Sequence, residues 1–306
     1  MLDFSTHPLV ETTWLAEHLS DDDVCIVDAR WRGDGTSREH YRHGHIPGAI
    51  HLDWYHDLSW TDARGVGNLL LPPEPFATVM EAAGIGDHTR VVAYAETDHS
   101  GAARIWWALR FYGHDQVAVL NGGWNRWVDA GLPVSTEAPR LSPKKFTPRP
   151  FPQLLATATE ITQALREKDT LVRLVDTRPP EQYNGQAIWT PDGSLFLPPG
   201  QHWIVLPDQR MMQAGHIPGA VHLHASRLLN HADWTYLPPE SIRSLAEGVG
   251  LDPGQRVITY CGVGISASQG LFALHLAGYR DTALYDASWE EWGTDPAFPV
   301  ERELKY

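Results

Sequence analysis

The amino-acid sequence contains the same succession of motifs twice, and this internal repeat constrains the fold more than any other feature. Residues 43–52, HGHIPGAIHL, recur as AGHIPGAVHL at 214–223. The other matches, in the same order, pair 26–30 with 174–178, 91–94 with 257–260, 122–127 with 287–292, and 132–134 with 298–300. Matches in a fixed order indicate two homologous domains, and a length of 306 residues suits two domains of ordinary size.

Within each copy, short apolar strands alternate with helical patterns. The predicted strands are 24–28, 91–95, 117–120, 171–176, 256–260 and 282–285, and the predicted helices include 74–84, 101–112, 239–249 and 266–277. Gly113 and Gly278 follow two of these helices, where a capping glycine is expected. This alternation predicts an α/β fold with a mainly parallel sheet, flanked by helices, in each domain.

The two copies are joined by a proline-rich segment that also carries basic residues. We assign 139–152 to this linker, 1–138 to the N-terminal domain and 153–306 to the C-terminal domain. Its composition is typical of an extended, solvated tether.

The second copy carries an insertion that the first one lacks. The offset between the copies is 148 residues at Asp176 and 171 residues at His216, so 23 extra residues fall within 184–210. A long connection inside a compact domain is usually functional or disordered. Because this one contains Trp189, Phe196 and Trp203, we expect a packed flap.

Charge and cysteine content exclude several classes of function. There are 38 acidic and 24 basic residues, a net charge of −14, which disfavours nucleic acid or an anionic membrane as a partner. No run of about 18 apolar residues is present, and the first residues lack the pattern of a signal peptide. The two cysteines, Cys25 and Cys261, do not suggest a disulfide framework. We therefore expect a cytoplasmic protein.

Cys261 is the candidate nucleophile. It lies between the strand at 256–260 and a glycine-containing loop that leads into a helix. Backbone N–H groups converge at such a position and the helix dipole is positive there, so a thiolate is stabilised. The loop residues predicted to surround the sulfur are Gly262, Val263, Gly264, Ile265 and Ser266. Cys25 lies in an apolar run and is predicted to be structural.

Other polar residues have simpler explanations. His45 and His216 occur in both copies, although only one copy has the loop cysteine, and this favours a structural role in the turn. His222 and His224 would lie on one face of a strand, but no third ligand is evident, so no metal site is predicted. Arg178 repeats the pattern of the first copy and is interpreted as one half of a strand-end ion pair, with substrate contact as the alternative.

Taken together, these residues resemble the two-domain rhodanese family of sulfurtransferases. The resemblance rests on the sequence at 28–31, both HIPGA turns, 121–124, 286–289 and the Cys261 loop, and it extends over nearly the whole chain. It implies a catalytic C-terminal domain and an N-terminal copy without the nucleophile. The repeat aligns Ala95 with Cys261, so the first copy has no nucleophile at this position. Its loop at 96–100 is acidic, which would oppose a thiolate or an anionic substrate.

The resemblance also implies the chemistry. A thiolate at Cys261 would take sulfur from a small donor, become a persulfide and pass that sulfur to a thiophilic acceptor such as cyanide or a thiol. No metal or organic cofactor is needed, and we expect a monomer. In relatives a tryptophan at the position of Trp31 faces the active site.

The loop departs from both donor-specific patterns of the family. In family members specialised for thiosulfate, the loop that begins at the cysteine resembles CRKGVT, and in those specialised for 3-mercaptopyruvate it resembles CGSGVT. The loop of this chain reads CGVGIS, with Val263 in place of the serine. A family arginine falls on Gln182, and a histidine expected to pair with Asp53 falls on Leu69. We favour thiosulfate, with 3-mercaptopyruvate as the alternative, and we predict that Arg210 binds the donor's anionic end.

Two rival functions remain at this point. A phosphatase on the same fold needs an arginine six residues after the cysteine to grip a dianion, and Ala267 stands there. A non-catalytic persulfide relay module is favoured by the uncharged loop.

Overall fold

The computed structural model describes residues 2–190 and 193–302. By its internal contacts the chain divides into two compact units. Unit 1 contains Met1–Trp60, Leu70–Pro152 and Leu229–Leu237, and unit 2 contains Thr61–Leu69, Gln153–Leu228 and Pro238–Tyr306. Each unit therefore includes one short segment from the other sequence repeat.

The first repeat alternates strands and helices as predicted. Its strands are β1 (Leu9–Val10), β2 (Val24–Asp28), β3 (Ile50–His51), β4 (Ser59–Trp60), β5 (Leu69–Leu70), β6 (Arg90–Tyr94) and β7 (Val117–Leu120). Its helices are α1 (Thr12–Glu17), α2 (Ser37–His43), α3 (Pro73–Ala82), α4 (Ser100–Phe111) and α5 (Gly123–Asp129). Unit 1 has a parallel sheet in the order β1-β7-β6-β2-β3. Every residue of β6 and β7 is buried, as in a sheet covered on both faces.

The second repeat has the same topology with additions. Its strands are β8 (Leu155–Ala156), β9 (Val172–Asp176), β10 (Ala187–Thr190), β11 (Gly193–Phe196), β12 (Trp203–Val205), β13 (Met211–Gln213), β14 (Val221–His222), β15 (Arg256–Tyr260) and β16 (Thr282–Tyr285). Its helices are α6 (Ala158–Glu167), α7 (Pro180–Tyr183), α8 (Pro239–Gly248), α9 (Ile265–Leu276) and α10 (Ser288–Trp292). The parallel sheet of unit 2 has the order β8-β16-β15-β9-β14. This order matches unit 1 strand by strand and confirms the predicted α/β duplication.

The predicted elements agree with the structure to within two residues at their ends. Gly113 and Gly278, at φ 79° and 90°, follow α4 and α9 as helix-ending glycines. Not predicted were the short edge strands β1, β3, β8 and β14. Two residues are too few to display the alternation by which a strand is recognised.

The linker differs from its prediction as a solvated tether. Phe146 is buried and its ring lies 5.7 Å from that of Phe76. The backbone of the segment is bonded to unit 1 in its second half, where Lys145 accepts from the Asp87 N–H and Arg149 donates to the Tyr112 carbonyl. One aromatic side chain is enough to draw a proline-rich segment onto unit 1.

The insertion forms two antiparallel hairpins, β10–β11 and β12–β13, which we call the flap. Ile188 and Met212 are buried, so the flap is packed on one side. The expectation that all three large aromatic residues pack was wrong for two of them, since Phe196 is 65% and Trp203 47% exposed. Strand alternation places one face of a hairpin outward, whatever residues it carries. Among the described residues, no helix is long and apolar enough to cross a membrane.

Candidate active site

Cys261 follows the last residue of β15 and is 3% exposed. Its backbone is held on both sides by the start of α10. The Cys261 N–H donates to Ser288 Oγ at 3.1 Å, and the Trp289 N–H donates to the Cys261 carbonyl at 3.0 Å. The thiol therefore stands on a backbone that is bonded to a second element.

The loop after Cys261 is lined by unused backbone donors. Among the described residues, none accepts a hydrogen bond from the backbone N–H groups of 262–267. Gly264, at φ 82°, turns the chain so that α9, a helix of 12 residues, begins directly after it. Six successive free N–H groups at a helix N-terminus favour an anion beside the thiol.

The side chains of this loop bring no charge. Val263 and Ile265 are buried, and Ser266 Oγ lies 3.3 Å from Thr177 Oγ1. The predicted cradle therefore acts through its backbone.

Trp189 of the flap packs against Gly262. A Cβ added to Gly262 would lie 2.9 Å from Trp189 Cγ, which is closer than real side chains approach. The absence of a side chain at Gly262 thus allows the indole to lie against the loop. The sequence contained a signal for this contact, because a large aromatic residue stands in an insertion found only in the copy that has the cysteine.

Ser288 is a further site residue that the sequence did not predict. It is fully buried, its φ is 49°, and its hydroxyl donates to the Tyr285 carbonyl at 2.8 Å while accepting from Cys261. The repeat aligns it with Gly123, at φ 55°. A serine in a backbone conformation that favours glycine, present only in the cysteine-bearing copy, was the available signal.

Arg178 is buried and holds Asp176, Gly215 and Trp289 together, an arrangement that we call the arginine brace. Its guanidinium donates to Asp176 and, at 2.6 Å, to the Gly215 carbonyl, and it lies 4.4 Å above the ring of Trp289. Burial acts to lower the pKa of Arg178, but the Asp176 carboxylate outweighs burial and the pKa is raised. Arg178 is 2% exposed, and this geometry argues for the ion-pair interpretation over direct substrate contact.

The first repeat builds the same brace. Arg30 donates to Asp28 and to the Gly44 carbonyl, and lies 4.3 Å above the ring of Trp124. Since no loop cysteine accompanies this copy, the arrangement serves the fold itself.

Arg210 makes two ion pairs. Its guanidinium contacts Asp208 at 2.7 Å and Glu290 at 2.8 Å, while its buried Nη1 has no partner among the described residues. The Glu290 N–H donates to the Gly262 carbonyl at 2.9 Å, so Arg210 is connected to the cysteine loop through one residue.

The equivalent loop of the first repeat differs in charge and in backbone. Ala95 replaces the cysteine, Asp98 accepts from the Ser100 N–H at 3.0 Å, and Glu96 pairs with Arg32 at 2.6 Å. Carboxylates thus occupy the place where the second repeat leaves its donors free.

The remaining candidates lie apart from this chemistry. His45 and His216 stack on Tyr41 and Tyr183 at 4.1 and 3.9 Å, consistent with structural roles. His222 bonds the Arg178 carbonyl, and no group of three metal-ligating side chains occurs among the described residues.

Two further candidates lie in unit 1. Burial raises the pKa of Cys25 to about 12, in keeping with a structural thiol. Trp31 packs on Trp54 at 5.0 Å, and its predicted place at the active site stays a prediction.

Comparison with known proteins identifies the family to which this chain belongs. The model of the rhodanese-like domain matches residues 11–130 and 157–295. The chain belongs to the rhodanese-like family. This confirms the resemblance inferred from the repeated motifs and the Cys261 loop.

Similar rhodanese-like proteins span nearly the whole chain. The sulfur carrier protein TtuD of Thermus thermophilus is 32% identical, covering 96% of this chain and 97% of its own. Thiosulfate sulfurtransferase of Rattus norvegicus is 32% identical, covering 93% and 91%. The crystal structure of the 3-mercaptopyruvate enzyme SseA from Escherichia coli has a TM-score of 0.76 at 26% identity, covering 92% of this chain and 98% of that one.

The positions where this rhodanese-like chain departs from its family have local roles. Gln182 is buried and donates to Ser194 of the flap at 2.9 Å. Asp53 pairs with His56 at 2.8 Å, and Leu69 packs on the apolar core of unit 2. Gln182 and Leu69 thus support the fold where relatives are expected to hold an arginine and a histidine. Asp53, which matches the family pattern, is paired with its neighbour His56 instead.

Proposed function

We propose that this chain is a sulfurtransferase that moves a sulfane sulfur from a small donor to a thiophilic acceptor through a persulfide on Cys261. Thiosulfate is the favoured donor, and cyanide or a thiol is the acceptor. The names of relatives that match over nearly the full length, a thiosulfate sulfurtransferase among them, support this class of reaction.

The single observation that carries the proposal is the row of free N–H groups at 262–267 beside Cys261. The Cys261 thiolate attacks the outer sulfur of thiosulfate, a new S–S bond forms, and the old S–S bond breaks with its electron pair leaving on sulfite. The persulfide is anionic at its outer sulfur, and the N–H groups of Gly262, Val263, Gly264, Ile265 and Ser266 bind that charge. They act as an oxyanion hole acts on oxygen.

The second half of the reaction restores the enzyme. Cyanide attacks the outer sulfur, a C–S bond forms, and the electron pair of the persulfide bond returns to Cys261 Sγ as thiolate. Thiocyanate leaves, and neither half-reaction takes up a proton or needs an oxidant.

Thiosulfate is preferred over 3-mercaptopyruvate because the side chains that the latter group uses are missing or otherwise engaged. Gln182 stands in place of an arginine and binds the flap, and Asp53 is paired with its own neighbour His56. A small inorganic dianion needs fewer such contacts.

We also propose that Arg210 contributes to binding the anionic donor, because its Nη1 has no partner in the described ranges and Glu290 connects it to the loop. Arg210→Ala should raise KM for thiosulfate about 10-fold, as expected for one charge-assisted hydrogen bond. The exposed Arg280 supplies the control, since Arg280→Ala removes the same charge elsewhere in unit 2. An unchanged KM in Arg210→Ala rules out this role.

The decisive experiment is intact-protein mass spectrometry after incubation with each donor. Thiosulfate should add the mass of one sulfur to the wild type, cyanide should remove it, and Cys261→Ser should stay unmodified. A larger yield with 3-mercaptopyruvate would reverse the donor preference, and no sulfur addition from either would refute the enzyme proposal.

A persulfide relay module is the second candidate, favoured by the uncharged loop and by the sulfur carrier protein among the relatives. Such a module receives sulfur from a partner protein and does not turn over small donors. Failure of both small donors, with transfer from a persulfidated protein to Cys261, would identify it.

The proposal also covers the roles of the two domains, the oligomeric state, the location and the excluded partners. The N-terminal domain, 1–138, is non-catalytic, 139–152 is the linker, and 153–306 carries the chemistry. We propose a cytoplasmic monomer that binds neither nucleic acid nor membrane, supported by the acidic charge and by two free cysteines.

A further inference from the structure

Unit 2 contains a cavity that shares no lining residue with the Cys261 loop. This cavity of about 370 Å³ lies where the flap leaves α7. Its lining includes the residues just after α7 and the loop between β11 and β12. That volume suits a small organic molecule.

Among the described residues that line the cavity, Arg302 is the charged group and none is a carboxylate. Within the described part of the chain, Arg302 donates to two neutral groups, the Ala214 carbonyl at 2.8 Å and Gln213 Oε1 at 3.3 Å. Its Nη1 has no acceptor among the described residues, and burial lowers its pKa. Among the described residues 2–190 and 193–302, no carboxylate is bonded to this partly buried cation.

Arg302 is also held in position. Its Cγ would lie 3.4 Å from a Cβ added to Gly185 and 3.0 Å from one added to Gly215. Its stem therefore passes between two glycines, and its head is fixed by the two hydrogen bonds. A positioned guanidinium costs little further side-chain entropy when it binds an anion.

The other residues that line the cavity indicate which further chemical groups a bound anionic ligand would carry. His202 has a buried Nδ1 without a partner in the described part of the chain. Gln186 and Gln201 supply amides, and Leu197 and Pro198 supply an apolar wall. A ligand that combines a carboxylate, an amide and an aliphatic group would satisfy all three kinds of surface.

We propose that this cavity is a binding site for a small carboxylate of the acyl-amino-acid or peptide type, with Arg302 binding the carboxylate. The site does not depend on the sulfur chemistry. It is therefore expected to persist in a Cys261→Ala variant.

The test uses two probes that differ only in charge, N-acetyl-leucine and N-acetyl-leucinamide, titrated by calorimetry into the full chain at constant ionic strength. The carboxylate should bind at least about 10-fold more tightly than the amide, as one charge-assisted hydrogen bond predicts. Arg302→Gln should remove this difference. Arg166→Gln changes the same charge at an exposed position of unit 2 and should retain it.

A second variant guards against misfolding of the first. Gln201→Glu keeps Arg302 and places an acid in the lining, so it should weaken binding of the carboxylate and not of the amide. Equal binding of both probes to the wild type, or an unchanged preference in Arg302→Gln, would overturn the proposal.

Discussion

Ser288 connects the backbone of the nucleophile to α10 through its hydroxyl. It accepts from the Cys261 N–H and donates to the Tyr285 carbonyl while its own backbone is at φ 49°. Non-glycine residues in this region are uncommon, and they persist where the surrounding structure holds them. The hydrogen bond to Cys261 compensates for the backbone conformation.

Removing that hydroxyl should expose its contribution. Ser288→Ala leaves the buried Cys261 N–H without an acceptor and should lower the free energy of unfolding by about 1–3 kcal/mol. Ser288→Gly should lose less, because glycine adopts the positive φ without strain. Urea unfolding measures both, and sulfur uptake by Cys261 should slow in both. Equal stability of Ser288→Ala and wild type would show that the bond contributes nothing.

The two cysteines should differ in reactivity. Since burial raises the pKa of Cys25 to about 12, its thiol stays protonated at pH 8. In a Cys261→Ser background, iodoacetamide should leave the native chain unlabelled and should label one site after denaturation. Mass spectrometry distinguishes the two outcomes, and rapid native labelling of Cys25 would contradict the raised pKa of this half-buried thiol.

Among the helices and strands, those that are long and uniformly apolar can be predicted from the sequence. This holds for strands β6 and β15 and for helices α4 and α9. Their apolar content, together with the glycines that follow the two helices, is consistent with no other type of structure. The flap hairpins could not, because their pairing depends on contacts with the core of unit 2. Likewise Trp189 could be identified as large and apolar, but its position on Gly262 depends on tertiary structure.

The contact between the flap and the loop can be tested by coupled substitutions. Gly262→Ala places a Cβ about 3 Å from the indole of Trp189 and should destabilise the chain by about 1–3 kcal/mol. Trp189→Ala in the same chain should relieve that clash, giving a coupling energy of about 0.5–3 kcal/mol in a double-mutant cycle. Gly248→Ala, in open space, is the control. Additive effects would show that the two residues do not touch.

At the scale of the whole molecule, sensitivity to acid should originate in unit 1. Burial lowers the pKa values of His51, His99 and His114, all of which lie there. His99 donates from Nε2 to the Trp234 carbonyl at 2.6 Å, and its Nδ1 has no partner among the described residues. A proton on Nδ1 would be buried and unpaired.

The direction of the pH effect follows from these shifts. Below about pH 6.5 the unfolded chain binds protons that the native histidines do not, so stability is complete above that pH and falls as the pH is lowered. His99→Gln should reduce the dependence between pH 6.5 and 5, whereas His88→Gln, at an exposed position, should not. Urea unfolding at several pH values measures this, and parallel curves for wild type and His99→Gln would contradict it.

The first repeat shows what would be required to engineer a second reactive centre into this chain. It retains the brace of Arg30 and Asp28, so the scaffold is intact. A cysteine at position 95 alone would stand beside Glu96 and Asp98, and the loop lacks the left-handed glycine that precedes α9. Reactivation therefore demands a different backbone path as well as a thiol. After duplication, such a copy could lose catalysis by a single substitution, but could not regain it by one.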